Sequence, residues 1–330
     1  MRWLQFALLP LAAGCAVMPE APGLERCVWV SRFEYSSQQD IERIVRESAA
    51  AGVTAVMFQV RGNGTVYYHS GHELWSEKYG FRAPGFDPLA VAIESARRHG
   101  VELHAWINVV PGWRGDITKA DPGQLVRSRP AWFVSDANGP IPLESGYYWL
   151  DVDNPSARAY LAELCRELAQ NYSIDGLHLD HIRCASGHGS VDGVTELVHQ
   201  IQRAVRTVAR PVELSAAVFA DPVQAKQKVG QDWPTWAERG YVDVLFPMNY
   251  TEDDRLFRDR VRLAVASAGD VPVIAGVGVY KHLSARQSAY QCRTAIDAGA
   301  AGVCLFSYGA LRDRGPASFR RVVEAVGSRY

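Results

Sequence analysis

Short apolar runs alternate with longer amphipathic stretches from residue 27 almost to the end of the chain. Runs at 27–34, 53–60, 101–108, 173–183, 212–218, 242–249, 271–277 and 302–307 have strand length and carry branched and aromatic residues that suit a pleated surface. Between them the spacing becomes helical. Ser37 caps a stretch with Ile41, Ile44, Val45 and Ala49 on one face, and Gly52 closes it. Asp87-Pro88, Asn154-Pro155 and Asp221-Pro222 each read as a cap followed by proline at the first helical position. Further helices are predicted near 195–208, 233–240, 251–266, 284–299 and 316–326. Eight strands, each followed by helix, predict one α/β domain over 26–330, a (β/α)8 TIM barrel. An open doubly wound sheet is the alternative, but the glycine-rich phosphate fingerprint of that fold is missing.

Two connections break the economy of the rest: 61–86 after the second strand and 109–153 after the third. Connections this long are usually functional or disordered. These hold Tyr67, Tyr68, Trp75, Trp113, Trp132, Tyr147, Tyr148 and Trp149, a composition unlike disorder. Within the second, 131–134 and 141–143 flank Asp136-Ala137-Asn138-Gly139 as a hairpin. Both connections leave the C-terminal ends of strands, where barrels place their active sites. Aromatic rings there suit the apolar faces of sugars.

The fourth strand concentrates the candidate chemistry. Leu177 and Leu179 share one face, and His178 and Asp180 share the other, which points down the barrel axis. A buried carboxylate without a partner is costly, so Asp180 reads either as a catalytic group or as the partner of a cation such as Arg183. Other strand ends add polar groups: Arg32 and Glu34, Gln59 and Arg61, His104 and Asn108 with Trp106 between them, Asn249 followed by Tyr250 and Glu252, and Tyr308. Zinc motifs, P-loops, nucleophile elbows and flavin fingerprints are missing, so the reading calls for no cofactor and no metal. Carboxylates, amides and aromatics fit glycoside cleavage, in which one carboxyl protonates the leaving oxygen and a second acts as nucleophile or base. Asp180 beside His178, Arg183 or Arg61 suits the ionised role. Glu34 and Glu252 are the candidates for the acid. Gln59, Arg61, His104, Asn108, His178, Asn249, Tyr250 and Tyr308 are the candidates for holding sugar.

Thirty-five basic residues balance 36 acidic ones, which gives no electrostatic case for nucleic acid. Met1-Arg2 and an apolar stretch to Ala13, too short to span a bilayer, read as a signal segment. Leu11-Ala12-Ala13-Gly14-Cys15 resembles a bacterial lipobox, which makes 1–15 a lipoprotein signal with Cys15 as the lipidated residue and 16–25 a tether. Ala16 resembles the pattern sorted to an outer membrane. The expectation is a lipid-anchored envelope protein facing the periplasm, with a plain secretory signal as the alternative. The other five cysteines show no metal-ligand spacing. Cys27 and Cys304 fall on the first and last strands, which adjoin in a closed barrel, so a bridge between them stays open.

Several segments together resemble the bacterial family-10 glycosyl-hydrolase-like proteins. They are Val28-Trp29-Val30-Ser31-Arg32, Phe58-Gln59-Val60-Arg61 with Gly64, Phe86-Asp87-Pro88-Leu89, His104-Ala105-Trp106-Ile107-Asn108, Leu150-Asp151 with Asn154-Pro155, Asp175 to Asp180, Pro247-Met248-Asn249-Tyr250, and Phe306-Ser307-Tyr308. The resemblance implies a TIM-barrel hydrolase of envelope or extracellular polysaccharide, and some relatives are associated with peptide-free peptidoglycan strands. It implies that Asp180 is the essential strand-four carboxylate and that Gln59, Arg61, Asn108 and Tyr250 line the sugar site. The chain departs from the family where many members have a second acidic residue after that aspartate. Here the residue is His181. Two readings result: an endo-acting glycoside hydrolase, or a carbohydrate-binding lipoprotein that has lost the chemistry.

Overall fold

The computed structural model describes residues 23–327, so the predicted signal segment and Cys15 lie outside the described residues. Eight parallel strands form the centre: β1 (Glu25–Val30), β2 (Ala55–Gly62), β3 (Glu102–Asn108), β4 (Gly176–Asp180), β5 (Glu213–Phe219), β6 (Val244–Asn249), β7 (Ile274–Val277) and β8 (Gly302–Phe306). Each pairs with the next, and β1 pairs with both β2 and β8, so the sheet closes on itself. This is the TIM barrel that the alternating pattern predicts. The short strand Thr65–Val66 adds antiparallel to the end of β2.

Polar caps set the helix starts. Ser37 and Asp40 form a reciprocal capping box on α1 (Gln38–Ala50), and Asp87, ahead of Pro88, caps α2 (Pro88–His99). Asn154 and Asp221 do the same ahead of their prolines, for α3 (Pro155–Asn171) and α5 (Pro222–Val229). The intervening α4 (Val191–Val205) starts earlier than its apolar periodicity suggests, because the Ser190 hydroxyl accepts from the Gly193 N–H. The series continues with α6 (Trp233–Glu238), α7 (Asp254–Ala268), α8 (Ala285–Asp297), α9 (Tyr308–Arg312) and α10 (Pro316–Glu324). Among the described residues no helix is long and apolar enough to cross a membrane.

Strand alternation divides the apolar residues into two cores. Val28, Val30, Val56, Phe58, Leu103, Leu177 and Leu179 face outward and are fully buried under the helices. Each such side chain contributes about 1.5–3 kcal/mol of burial. Trp29, Met57, Trp106 and Phe246 face inward and fill the barrel axis, with Cys27, Ile274 and Cys304 in the same cluster. Cys27 and Cys304 are register partners, and both are buried free thiols. The inward cluster separates two cavities, one at each end of the barrel.

The long connections cover the C-terminal end. Pro111–Arg114 pairs antiparallel with Tyr147–Trp149, and Ser135–Asp136 pairs with Gly139–Pro140 at the predicted hairpin. The connection after β2 is fixed from beneath by Arg61, whose Nε and Nη2 donate to the Glu73 carboxylate at 2.8 and 2.6 Å, both side chains being fully buried.

Candidate active site

Asp180 is the last residue of β4 and stands at the floor of a cavity of about 390 Å³ at the C-terminal end of the barrel. It is 8% exposed. Its carboxylate accepts the Trp106 indole N–H at 3.2 Å on Oδ2 and the His181 backbone N–H at 2.6 Å on Oδ1. Burial pushes its pKa upward, but the charge and hydrogen bonds of His181 and the nearness of His178 outweigh that and bring it down to about 2. Asp180 is therefore ionised throughout the neutral range.

A chain of side-chain hydrogen bonds fixes the groups beside it. The Trp106 indole also points at Asn108 Oδ1 (3.1 Å), which accepts from Gln59 Nε2 (3.0 Å), and Gln59 Oε1 accepts from the Arg32 backbone N–H (3.0 Å). An indole only donates, so it dictates that the Asn108 oxygen faces it and hence that the Gln59 amide nitrogen faces Asn108. Below this layer, His178 Nε2 accepts from the Trp29 indole at 3.0 Å, which leaves Nδ1 as the protonated nitrogen, 2.9 Å from Ser215 Oγ. Burial holds this imidazole neutral and drives its pKa down to about 3.

Aromatic rings make the walls. Tyr250 stacks on Phe306 (centroids 5.5 Å, 27°) and stands edge-on to Trp29 (6.3 Å, 89°). Tyr147, Phe219 and Phe33 complete the rim, with Arg32 lying over the exposed Phe33 ring at 4.4 Å. Arg183 spreads over Trp149 and Phe219 at 4.7 and 5.4 Å and is anchored by Glu144 at 3.0 Å. His181, just past the strand, has a left-handed backbone (φ 48°), which returns its side chain toward the cavity. Its ring lies 6.5 Å from Tyr147 and 6.0 Å from Trp149, with Nδ1 3.4 Å from Asp180 Oδ2.

The model of the family glycosyl hydrolase-like 10 matches residues 25–192, from β1 through Asp180 and His181. The chain belongs to that family. Two of its curated relatives are the glycosyl hydrolase YngK of Bacillus subtilis and the glycosyl hydrolase DigH of Escherichia coli O6:H1. YngK is 24% identical over 257 residues, covering 64% of this chain and 49% of its own length. DigH is 26% identical over 246 residues, covering 60% of this chain and 55% of its own. The chain thus spans about half the length of the curated relatives it matches. Among solved structures, the glycoside hydrolase domain of PgaB (BpsB) from Bordetella bronchiseptica superimposes with a TM-score of 0.71 at 16% identity, covering 91% of this chain and 99% of that domain. An α-L-fucosidase from Paenibacillus thiaminolyticus gives 0.64 at 15% identity, over 92% of this chain and 49% of its own. At these identities the likeness concerns the fold.

In this glycosyl hydrolase-like 10 barrel, the cavity brings together Asp180, Gln59, Asn108 and Tyr250 of the residues singled out from sequence. Arg32, Trp106, Arg183 and the loop residue Tyr147 line it as well, and the remaining candidates lie elsewhere. A bulge between Gln59 and Arg61 reverses the alternation of β2, so Arg61 pairs with Ile107, faces outward and is buried on Glu73 and the Val109 carbonyl (2.9 Å). His104 has the axis-facing parity but sits at the other end of the barrel, with Nε2 3.2 Å from Glu102 and Nδ1 3.7 Å from Glu213. His178 lies under the floor rather than on it. Asn249 points outward, donating to the Phe257 carbonyl at 2.8 Å, and Met248 takes its place in the cavity lining. Tyr308 starts α9 and reaches Glu47 at 2.5 Å, away from the cavity.

Neither acid candidate lines the cavity. Glu34 accepts from the Ser31 N–H (2.5 Å), the Ser307 hydroxyl (3.1 Å) and the Gly309 N–H, so it ties the β1 connection to the end of β8. Glu252 is exposed, and its backbone carbonyl accepts from Gln287. Sequence reasoning did not select His181, Trp29 or Phe306 for the site, and it named Tyr147 as one of several loop aromatics suited to sugar faces. For Phe306 the parity signal was present, since it alternates with Tyr308, whereas Trp29 has the opposite parity to the Arg32 and Glu34 chosen on its strand and is shown to face inward by the structure. For His181 and Tyr147 no periodic signal exists, because both lie outside the barrel strands.

Proposed function

We propose that this chain is an envelope glycoside hydrolase that cleaves a polysaccharide, with Asp180 as the carboxylate facing the anomeric carbon. The observation that carries the reading is a single ionised carboxylate, held by an indole N–H and a backbone N–H, on the floor of an aromatic-walled cavity. Glycoside cleavage builds positive charge at the anomeric carbon, and a preorganised carboxylate in a site shielded from water stabilises that charge. The rings of Tyr250, Phe306 and Tyr147 offer faces for sugar rings, and Gln59 and Asn108 offer amides for their hydroxyls. Peptide-free peptidoglycan strands, cut internally, are the substrate we favour, and lipidation at Cys15 with the cleft in the periplasm is the setting.

The test is digestion of peptide-free peptidoglycan strands, intact peptidoglycan, chitin oligomers and a neutral α-glucan by the full chain and its Asp180→Asn variant, read by mass spectrometry. Oligosaccharides from one glycan that vanish in the variant support the reading. Products that persist in Asp180→Asn would assign the chemistry elsewhere. One feature favours a second reading, a binding protein: among the described residues lining the cavity, Asp180 is the one carboxylate. Binding without products from any glycan would select that reading.

A further inference from the structure

We propose that the imidazole of His181 is the proton donor and acceptor of this site, taking the place of the second carboxyl. The inference rests on the hydrolase reading above and names the group which that reading lacks. Breaking a glycosidic bond requires a proton on the leaving oxygen. Asp180 is ionised and cannot supply it. The other polar side chains of the lining are amides, a serine, two arginines, two tyrosines and His181. Amides and guanidinium groups do not give up protons near neutrality. Burial, then the Asp180 charge, holds the Tyr250 phenol firmly protonated. Of the groups that remain, the Ser31 hydroxyl, the Tyr147 phenol and the His181 imidazole, an imidazole is the one whose ordinary titration range is the physiological one.

Its placement is specific. Few non-glycine residues adopt positive φ, and those that do cluster at active sites and ligand clamps. At φ 48° the His181 N–H holds Asp180 Oδ1 while the ring turns back over the same carboxylate. Nδ1 faces Asp180 Oδ2 at 3.4 Å, so Nε2 is the nitrogen on the far side of the ring from the carboxylate, the one left for substrate. The side chain is 30% exposed, walled by Tyr147 and Trp149. The charged and titratable groups that face it are Asp180 and Arg183 from its own segment and Glu144 and Tyr147 from the connection after β3.

The step balances. Protonated His181 gives its proton to the glycosidic oxygen as the C1–O bond breaks, and the bonding pair stays on that oxygen. The positive charge left at C1 faces Asp180. A water oxygen then bonds to C1, and its proton returns to the neutral imidazole.

The experiment compares full-length wild type, His181→Asn, His181→Asp and Asp180→Asn. Asparagine tolerates the left-handed backbone without carrying the proton. Substrates are the polymer that wild type cleaves and aryl glycosides of its repeating sugar, with phenol and 2,4-dinitrophenol as leaving groups. General acid–base groups contribute about 10²–10⁴-fold, so His181→Asn is expected to lose that much kcat on the polymer and the phenyl glycoside. The kcat/KM for the dinitrophenyl glycoside, whose leaving group needs no proton, stays within about tenfold, the alkaline limb of the pH profile flattens, and His181→Asp recovers part of the polymer activity. Equal losses on both aryl glycosides, or the leaving-group signature appearing in Tyr147→Phe instead, would overturn the assignment. If Asp180→Asn retains full activity, the hydrolase reading of this cavity fails first. If wild type binds glycans and cleaves none, both fall together.

Discussion

The two ends of the barrel offer a natural comparison, because each has a cavity with a histidine beside a carboxylate. At the N-terminal end, in a cavity of about 310 Å³, His104 stands between Glu102 and Glu213. Burial raises the Glu213 pKa, and Glu102, Asp243 and Glu25 push it further up, with His104 opposing them. At the C-terminal end Asp180 is more deeply buried, yet it is held low. The difference is the ratio of donors to acceptors. Asp180 is alone with an indole and a backbone N–H, whereas the other end crowds carboxylates around one imidazole. A histidine–carboxylate pair therefore does not by itself mark a reactive site. A lone carboxylate surrounded by donors, under aromatic loops, does so far better.

Several experiments would sharpen or break this contrast. Asp180→Asn should reduce polymer cleavage by about 10³-fold or more, whereas Glu213→Gln should leave kcat within about twofold, read side by side in the same digestion assay. A comparable loss in Glu213→Gln would end the distinction. Trp106→Phe removes the N–H that bridges Asp180 and Asn108. A hydrogen bond to a charged group is worth about 1.5–3 kcal/mol, so kcat should fall roughly 10–100-fold, with KM changing less. His178 sets an acid limit on the fold. Its folded pKa, about 3, lies below its ordinary value near 6.5 because of burial, so the unfolded chain binds the extra proton between those values. Stability should accordingly fall as pH drops from about 6.5 toward 3, by up to about 1.4 kcal/mol per pH unit. Urea midpoints against pH would show that slope, and His178→Gln should lose it. The smallest effect is expected from Glu102→Gln, whose carboxylate is mostly exposed: less than about 1 kcal/mol in urea unfolding.

The barrel was legible because its signals are local and repeated: eight apolar runs, caps before prolines, and glycines after helices. The site was legible wherever alternation alone placed a residue at a strand end, as for Asp180, Gln59 and Asn108. It failed in physically distinct ways. For Arg61 a single-residue bulge reversed the parity, a feature that hydrophobic patterning does not record. For His104 the face was right and the height along the axis was wrong. Alternation says which side of a sheet a residue faces, not how far along the strand the mouth lies. Asn249 shows a one-position slip, with the unremarked Met248 taking the inward place. Glu34 has the right end of the barrel but spends its oxygens on backbone and hydroxyl donors of two connections. His181 was visible as a departure from the family, but its return to the cavity depends on a backbone torsion.

Gly23 and Leu24 border the N-terminal cavity, so the backbone enters the barrel at the end opposite the cleft. Anything joined upstream therefore holds the molecule by its base. If Cys15 bears lipid, the chain between it and Gly23 can reach no more than about 25–30 Å. The base of the barrel would then lie within that distance of the bilayer, with the Asp180 cavity at its far end.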